Sequence, residues 1–161
     1  MNYLKTFKLA VILIFPLLLW GCFEDHASQF HLDDINQVEW APPNRASSAL
    51  SYTANIAADQ TEPKTVSLVV QLIGAHSGSD RTVGVQVASG DAEEGVHFDI
   101  LNEDVVIPAN SSHGDVEIRI NSANLNNGDS FSVTLELTEG PELGVAANMK
   151  DLNLQIQKAT D

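Results

Sequence analysis

The sequence predicts an all-β fold, an antiparallel β-sandwich of about seven to eight strands, on three observations. Apolar and polar residues alternate with period two in run after run. Such alternation turns one face of each strand to a core and the other to water. Between the runs stand clusters of turn formers, Ser77-Gly78-Ser79-Asp80, Ser111-Ser112-His113-Gly114 and Asn126-Asn127-Gly128-Asp129. Glycine and asparagine tolerate positive φ, and serine and aspartate bond nearby backbone. After the first 21 residues no stretch has a long helical period. Half-solvated faces favour a sandwich, since an antiparallel sheet can bury one side only.

The elements follow in order. Gln37-Val38-Glu39-Trp40 is a short strand stopped by Pro42-Pro43, and the alternation of Trp40 with Val38 places the indole inside. Leu50, Tyr52, Ala54 and Ile56 alternate with Ser51, Thr53 and Asn55. Val66, Leu68, Val70 and Leu72 form the next inward set, with Val69 as an extra apolar residue on the outer face. Val83, Val85 and Val87 alternate with Thr82, Gly84 and Gln86. Val105 and Ile107 make a short piece closed by Pro108-Ala109-Asn110. Val116, Ile118 and Ile120 alternate with Glu117 and Arg119. Phe131, Val133, Leu135 and Leu137 follow, and Leu152, Leu154 and Ile156 end the series. No internal repeat interrupts it, so residues 37–158 read as one domain.

Residues 1–21 have the three parts of an export signal. Lys5 and Lys8 are their only charges, and Leu9 to Trp20 is an apolar run broken only by Pro16. A dozen apolar residues are too few to span the ~30 Å hydrocarbon layer, so the run reads as a signal peptide. Leu19-Trp20-Gly21-Cys22 resembles the lipobox of bacterial lipoproteins, with Trp20 bulkier than the usual residue. The resemblance implies lipidation of Cys22, the protein's only cysteine. A lone cysteine is otherwise odd in an exported chain, where even counts prevail. The implied two or three acyl chains would anchor the protein to the outer membrane, since each buried CH₂ adds ~0.8 kcal/mol. Residues 22–36 carry Glu24, Asp25, Asp33 and Asp34 with little periodicity and read as an acidic tether. Glu24-Asp25 resembles the acidic residues that follow the lipidated cysteine in surface-exported Bacteroidota lipoproteins, so surface exposure is expected too.

The net charge is −14, and loss of Lys5 and Lys8 with the leader lowers it by two, to −16. The remaining basic residues, Arg45, Lys64, Arg81, Arg119, Lys150 and Lys158, form no stripe. That pattern argues against nucleic acid as a partner and against electrostatic binding to anionic lipid. The membrane contact is left to the N-terminal lipid. About 140 mature residues suffice for one real core, which no disulfide can support.

A family resemblance begins at Ala92. Ala92-Glu93-Glu94-Gly95-Val96-His97-Phe98-Asp99 resembles the A-x-x-G-x-D-Y segment of Calx-beta domains. Val105-Val106-Ile107-Pro108-Ala109-Asn110-Ser111-Ser112 is similar to their next strand and turn. Ser130-Phe131-Ser132-Val133-Thr134-Leu135-Glu136-Leu137 is similar to their penultimate strand. The resemblance covers roughly residues 61–158 and extends to Bacteroidota lipoproteins that carry one such domain behind a lipobox. It implies an immunoglobulin-like two-sheet sandwich of the kind found in surface adhesion and matrix proteins. Some Calx-beta domains bind calcium through acidic loops, and Glu62, Glu93, Glu94 and Asp129 fall on or near those positions. The family's acidic run is replaced here by Asn121-Ser122-Ala123-Asn124-Leu125-Asn126-Asn127-Gly128-Asp129. Tight calcium sites favour carboxylates, which weighs against a calcium cofactor.

Chemistry finds little purchase. His97 and Asp99, two apart, would share a face on a strand, but such a pair needs a nucleophile or a metal to act. His26, His31, His76 and His113 are isolated. The acid pairs Glu93-Glu94 and Glu103-Asp104 would need a sugar cleft lined with exposed aromatics to serve a glycosidase. Trp40, Tyr52, Phe98 and Phe131 sit mostly in core phase. The expectation is therefore a non-enzymatic, lipid-anchored envelope module that binds a protein or glycan at the cell surface. The alternatives are a calcium-dependent adhesion domain and, behind it, a small envelope hydrolase.

Overall fold

The computed structural model describes residues 35–44 and 48–161. The leader 1–21, Cys22 and the tether as far as residue 34 lie outside the described residues. Ten strands are found among those described. They are β1 (Asn36–Trp40), β2 (Ser51–Ile56), β3 (Lys64–Gly74), β4 (Arg81–Gly90), β5 (Phe98–Ile100), β6 (Asp104–Ile107), β7 (His113–Ile120), β8 (Ser130–Thr138), β9 (Gly144–Val145) and β10 (Asp151–Lys158). They form two five-stranded sheets, β5-β7-β3-β1-β9 and β2-β10-β8-β4-β6.

The alternation read from the sequence is the alternation seen. Along β7, Gly114, Val116, Ile118 and Ile120 are buried while the residues between are exposed. Val66, Leu68 and Val70 of β3 meet Val133, Leu135 and Leu137 of β8 and Leu152, Leu154 and Ile156 of β10 in one core. Each such side chain contributes ~1.5–3 kcal/mol on full burial. Trp40 and Phe98 are its largest fully buried members. Val69 faces out, as its phase requires.

The differences are local and have physical causes. β5 and β9, three and two residues long, are too short to display a period. β1 begins at Asn36, paired with Gly74, one residue into the segment read as tether. His113 and Gly114 belong to β7 rather than to a turn. Two pairings at sheet edges are parallel, β1 with β9 and β2 with β10. They arise because the chain runs first along one sheet as β1, breaks at Pro42-Pro43, and continues in the other as β2. Val87, expected inside, is 38% exposed. It sits at a register shift between β4 and β8, and β4 then leaves the sheet through Gly90 at φ +138°. A Cβ at Gly90 would collide with the Ser132 carbonyl, so only glycine lets the two strands approach there.

Candidate functional site

A groove lies where β1 leaves its sheet. Proline lacks an N–H, so Pro42 and Pro43 cannot extend the ladder along β3. Ala41 still bonds β3, its N–H donating to the Val69 carbonyl at 2.9 Å. Beyond it opens a groove of about 740 Å³. Its floor is the outer face of β3 and β7, with Ser67, Val69 and Gln71 on one strand and His113 and Asp115 on the other. Pro42, Pro43 and the half-buried Tyr52 form the apolar wall.

The polar groups on this floor are held in place. The Ser67 hydroxyl donates to Asp115 Oδ1 at 3.1 Å, and the Gln71 amide to Glu39 Oε1 at 2.6 Å. The Ser112 hydroxyl lies 3.5 Å from His113 Nδ1. Fixed in this way, a carboxylate, a carboxamide and an imidazole present acceptors and donors beside an aromatic ring. An apolar wall beside a few placed polar groups is the usual make-up of a small-molecule site. The sequence reading missed the groove, because Tyr52, Gln71 and Asp115 come from three strands and form no motif. The Pro42-Pro43 break was its one visible signal.

The acids singled out for calcium sit elsewhere, in loops at one end of the sandwich, where the Glu94 and Asp129 carboxylates bond within their own loops. Glu94 Oε1 accepts the Ile100 N–H at 3.3 Å. Asp129 Oδ2 accepts the N–H and the side-chain amide of Asn126, at 2.8 and 3.1 Å. Glu93 contributes backbone alone, its N–H donating to His97 Nδ1 at 2.8 Å. Glu62 is exposed, its carbonyl accepting from the Gln60 amide at 3.1 Å. Among the described residues no three His, Cys, Asp or Glu side chains gather closely enough to hold a metal ion.

His97 and Asp99 also part company. His97 lies just before β5 and stacks on Phe131, ring centroids 4.0 Å apart. Accepting at Nδ1 requires the neutral ring to carry its proton on Nε2. Asp99, within β5, accepts from Arg119 at 3.1 Å and from the Asn121 amide at 2.9 Å. The Asn121 bond, then Arg119, holds its carboxyl below the usual aspartate range. Asp91 is lowered chiefly by the Ser132 N–H. Glu136 is lowered first by its bond from Lys150, which is itself raised by Glu136.

Fold and site together define a two-layer β-sandwich of Calx-beta type with a polar surface groove. The apo CBD1 domain of Calx superposes with a TM-score of 0.53 at 14% identity, over 78% of this chain and 98% of that domain. A Bacteroides ovatus protein to which carbohydrate binding is ascribed gives 0.58 at 12% identity, over 76% of this chain and 37% of that one. A second Bacteroides ovatus protein, of unknown function, gives 0.57 at 11%, over 76% and 45%. This chain thus spans less than half the length of these two relatives. A comparison with curated proteins returns no match. A family model described as Domain of unknown function (DUF4843) matches residues 33–158, and the chain belongs to that family.

Proposed function

We propose that this protein is a non-catalytic binding module of the bacterial envelope, moored by a lipid on Cys22, whose groove between Pro42-Pro43 and the β3/β7 face takes a neutral glycan. The groove carries the reading. Its oriented Asp115, Gln71, Ser67 and His113 suit the vicinal hydroxyls of a sugar ring, and Tyr52 with the two prolines suits its C–H faces. A net charge of −14 over the whole chain repels polyanions and leaves neutral polymers as ligands. The carbohydrate binding ascribed to the Bacteroides ovatus relative agrees with this ligand class.

The test is a titration of the native lipidated protein, in detergent, against a panel of neutral oligosaccharides, with Tyr52→Ala and Asp115→Ala beside it. Loss of a stacking face or of a bidentate acceptor should weaken binding at least tenfold, while far-UV circular dichroism stays unchanged. Saccharide binding untouched by both variants, or no binding across the panel, overturns the groove assignment. Mass spectrometry of the mature N-terminus checks the mooring separately. It should find a diacylated or triacylated Cys22.

A further inference from the structure

We infer that the edge strand β2 pairs with β2 of a second copy of this chain, antiparallel about a twofold axis at Thr53, joining two five-stranded sheets into one. An edge strand carries unpaired backbone groups, and natural sheets blunt their edges to keep other chains away. Among the described residues three of the four sheet edges are blunted. β9, β5 and β6 are only two, three and four residues long. β5 is also bridged to Glu94, whose neighbour Gly95 donates its N–H to the Phe98 carbonyl at 2.8 Å. β2 is different. It runs for six residues, Ser51–Ile56, without a charge, a proline or a glycine. Every second residue bonds β10: the Asn153 N–H donates to the Leu50 carbonyl and the Ala159 N–H to the Ile56 carbonyl, both at 2.9 Å. The backbone groups of Ser51, Thr53 and Asn55 therefore point away from β10, to the open edge. Lys64 Nζ donates to the Asn55 carbonyl at 2.7 Å, which leaves that oxygen its second lone pair. Among the described residues the Ser51 and Thr53 backbone groups on this edge meet no donor or acceptor.

The side chains say what fits this edge. On the outer face Ser51, Thr53 and Asn55 stand level with Asn153, Gln155 and Gln157 of β10, and these with three serine and threonine side chains of β8. The block holds no charge, in a chain of net charge −14 with 22 acids. Two copies of so acidic a chain repel one another, and they approach closely only where charge is absent. A twofold interface must also be complementary to itself. Hydroxyls and carboxamides both donate and accept, so like meets like without conflict, which ionised carboxylates cannot do. Antiparallel pairing of a strand with its own copy meets the same condition. Centred on Thr53, it sets Thr53 against Thr53 of the second copy as a hydrogen-bonded pair, and Ser51 against Asn55. Every open N–H and C=O from Ser51 to Asn55 then finds a mate.

The experiment uses the full-length chain. In detergent, amide exchange at Ser51, Thr53 and Asn55 should slow by about tenfold or more as protein concentration rises, while that of β6 stays constant. Thr53→Lys sets two ammonium groups face to face at the axis. It should abolish this protection and leave the Tm of the dilute protein unchanged. In membranes, a short thiol-to-thiol cross-linker should join Thr53→Cys into a covalent dimer. Thr134→Cys, on the same face but two strands inward, should stay monomeric, because its copies would stand ~24 Å apart at ~4.8 Å per strand. The unaltered chain, whose single cysteine is Cys22, is the control. Fast exchange at Thr53 at every concentration, equal cross-linking of both cysteine variants, or protection that survives Thr53→Lys overturns the pairing. So does protection that appears only when an envelope extract is added, since the edge would then serve a foreign strand. Should Thr53→Lys fail to fold, exchange in the unaltered chain and the two cysteine variants decide between them.

Discussion

Replacing Trp40 with phenylalanine tests how the first strand is held. The indole is fully buried on the inward face of β1. Its Nε1–H donates to the Lys150 carbonyl at 2.9 Å, while the Trp40 N–H donates to the Met149 carbonyl at 3.1 Å. One residue thus ties β1 to the segment that joins β9 to β10. Phenylalanine would keep a ring in the core but leave the Lys150 carbonyl without its donor, a loss of ~1–3 kcal/mol. The missing half of the indole would leave a void worth ~1 kcal/mol more. Together these come to ~2–4 kcal/mol, a fall in Tm of roughly 6–16 °C for a domain of this length. Thermal melting by circular dichroism measures it, and urea unfolding with an unchanged m-value shows that the loss lies in the folded state. The only other tryptophan is Trp20, so fluorescence of a chain cut to begin at residue 22 should come from a quencher-inaccessible indole. A fall of less than about 2 °C would show that the indole is neither packed nor bonded as described.

Two further outcomes follow from the carboxylates. Asp91, Asp99 and Glu136 all titrate below their ordinary values in the folded protein. Their stabilisation is therefore complete above the ordinary carboxylate range and lost as pH falls through the lowered values. Tm should hold from neutrality to about pH 5 and then drop. Asp99→Asn should lower the neutral plateau and flatten the acid limb, and a variant that melts in parallel with wild type at every pH would refute it. Calcium, or a chelator, should leave Tm unchanged, because Glu94 and Asp129 already accept amide protons within their loops. A calcium-dependent rise of several degrees at millimolar concentration would contradict that.

The sandwich was legible because burial on one face writes itself into the sequence every second residue. The stretches from Val116 to Ile120 and from Leu152 to Ile156 need no tertiary information to be read as half-buried strands. What escaped depends on partners far away in the chain. β9 is a strand only because Val145 meets Val38. Val87 is exposed because β4 slips register against β8, which nothing within β4 encodes. Arg81 reads as one more surface cation until the strands on either side bury it. The groove is similar, since its polar floor consists of outward residues that any solvated strand would carry.

The amide-rich run Asn121–Asp129 stands where the Calx-beta resemblance implies an acidic run. In a domain that binds a cation at this end, the ion's charge would draw the loops together. Here neutral groups do the tying. The Asn121 amide donates to Asp99 at 2.9 Å, and the Asn124 amide to the Val96 carbonyl at 2.6 Å. The Asn127 amide reaches Asp161 at 2.8 Å. A positive charge is present too, but it is the chain's own. Lys158, buried at the end of β10, donates to the carbonyls of Ser122 and Leu125 at 3.1 and 3.0 Å. Two backbone carbonyls thus hold the ammonium of β10 against the turn Ser122–Leu125 and tie that turn to the strand.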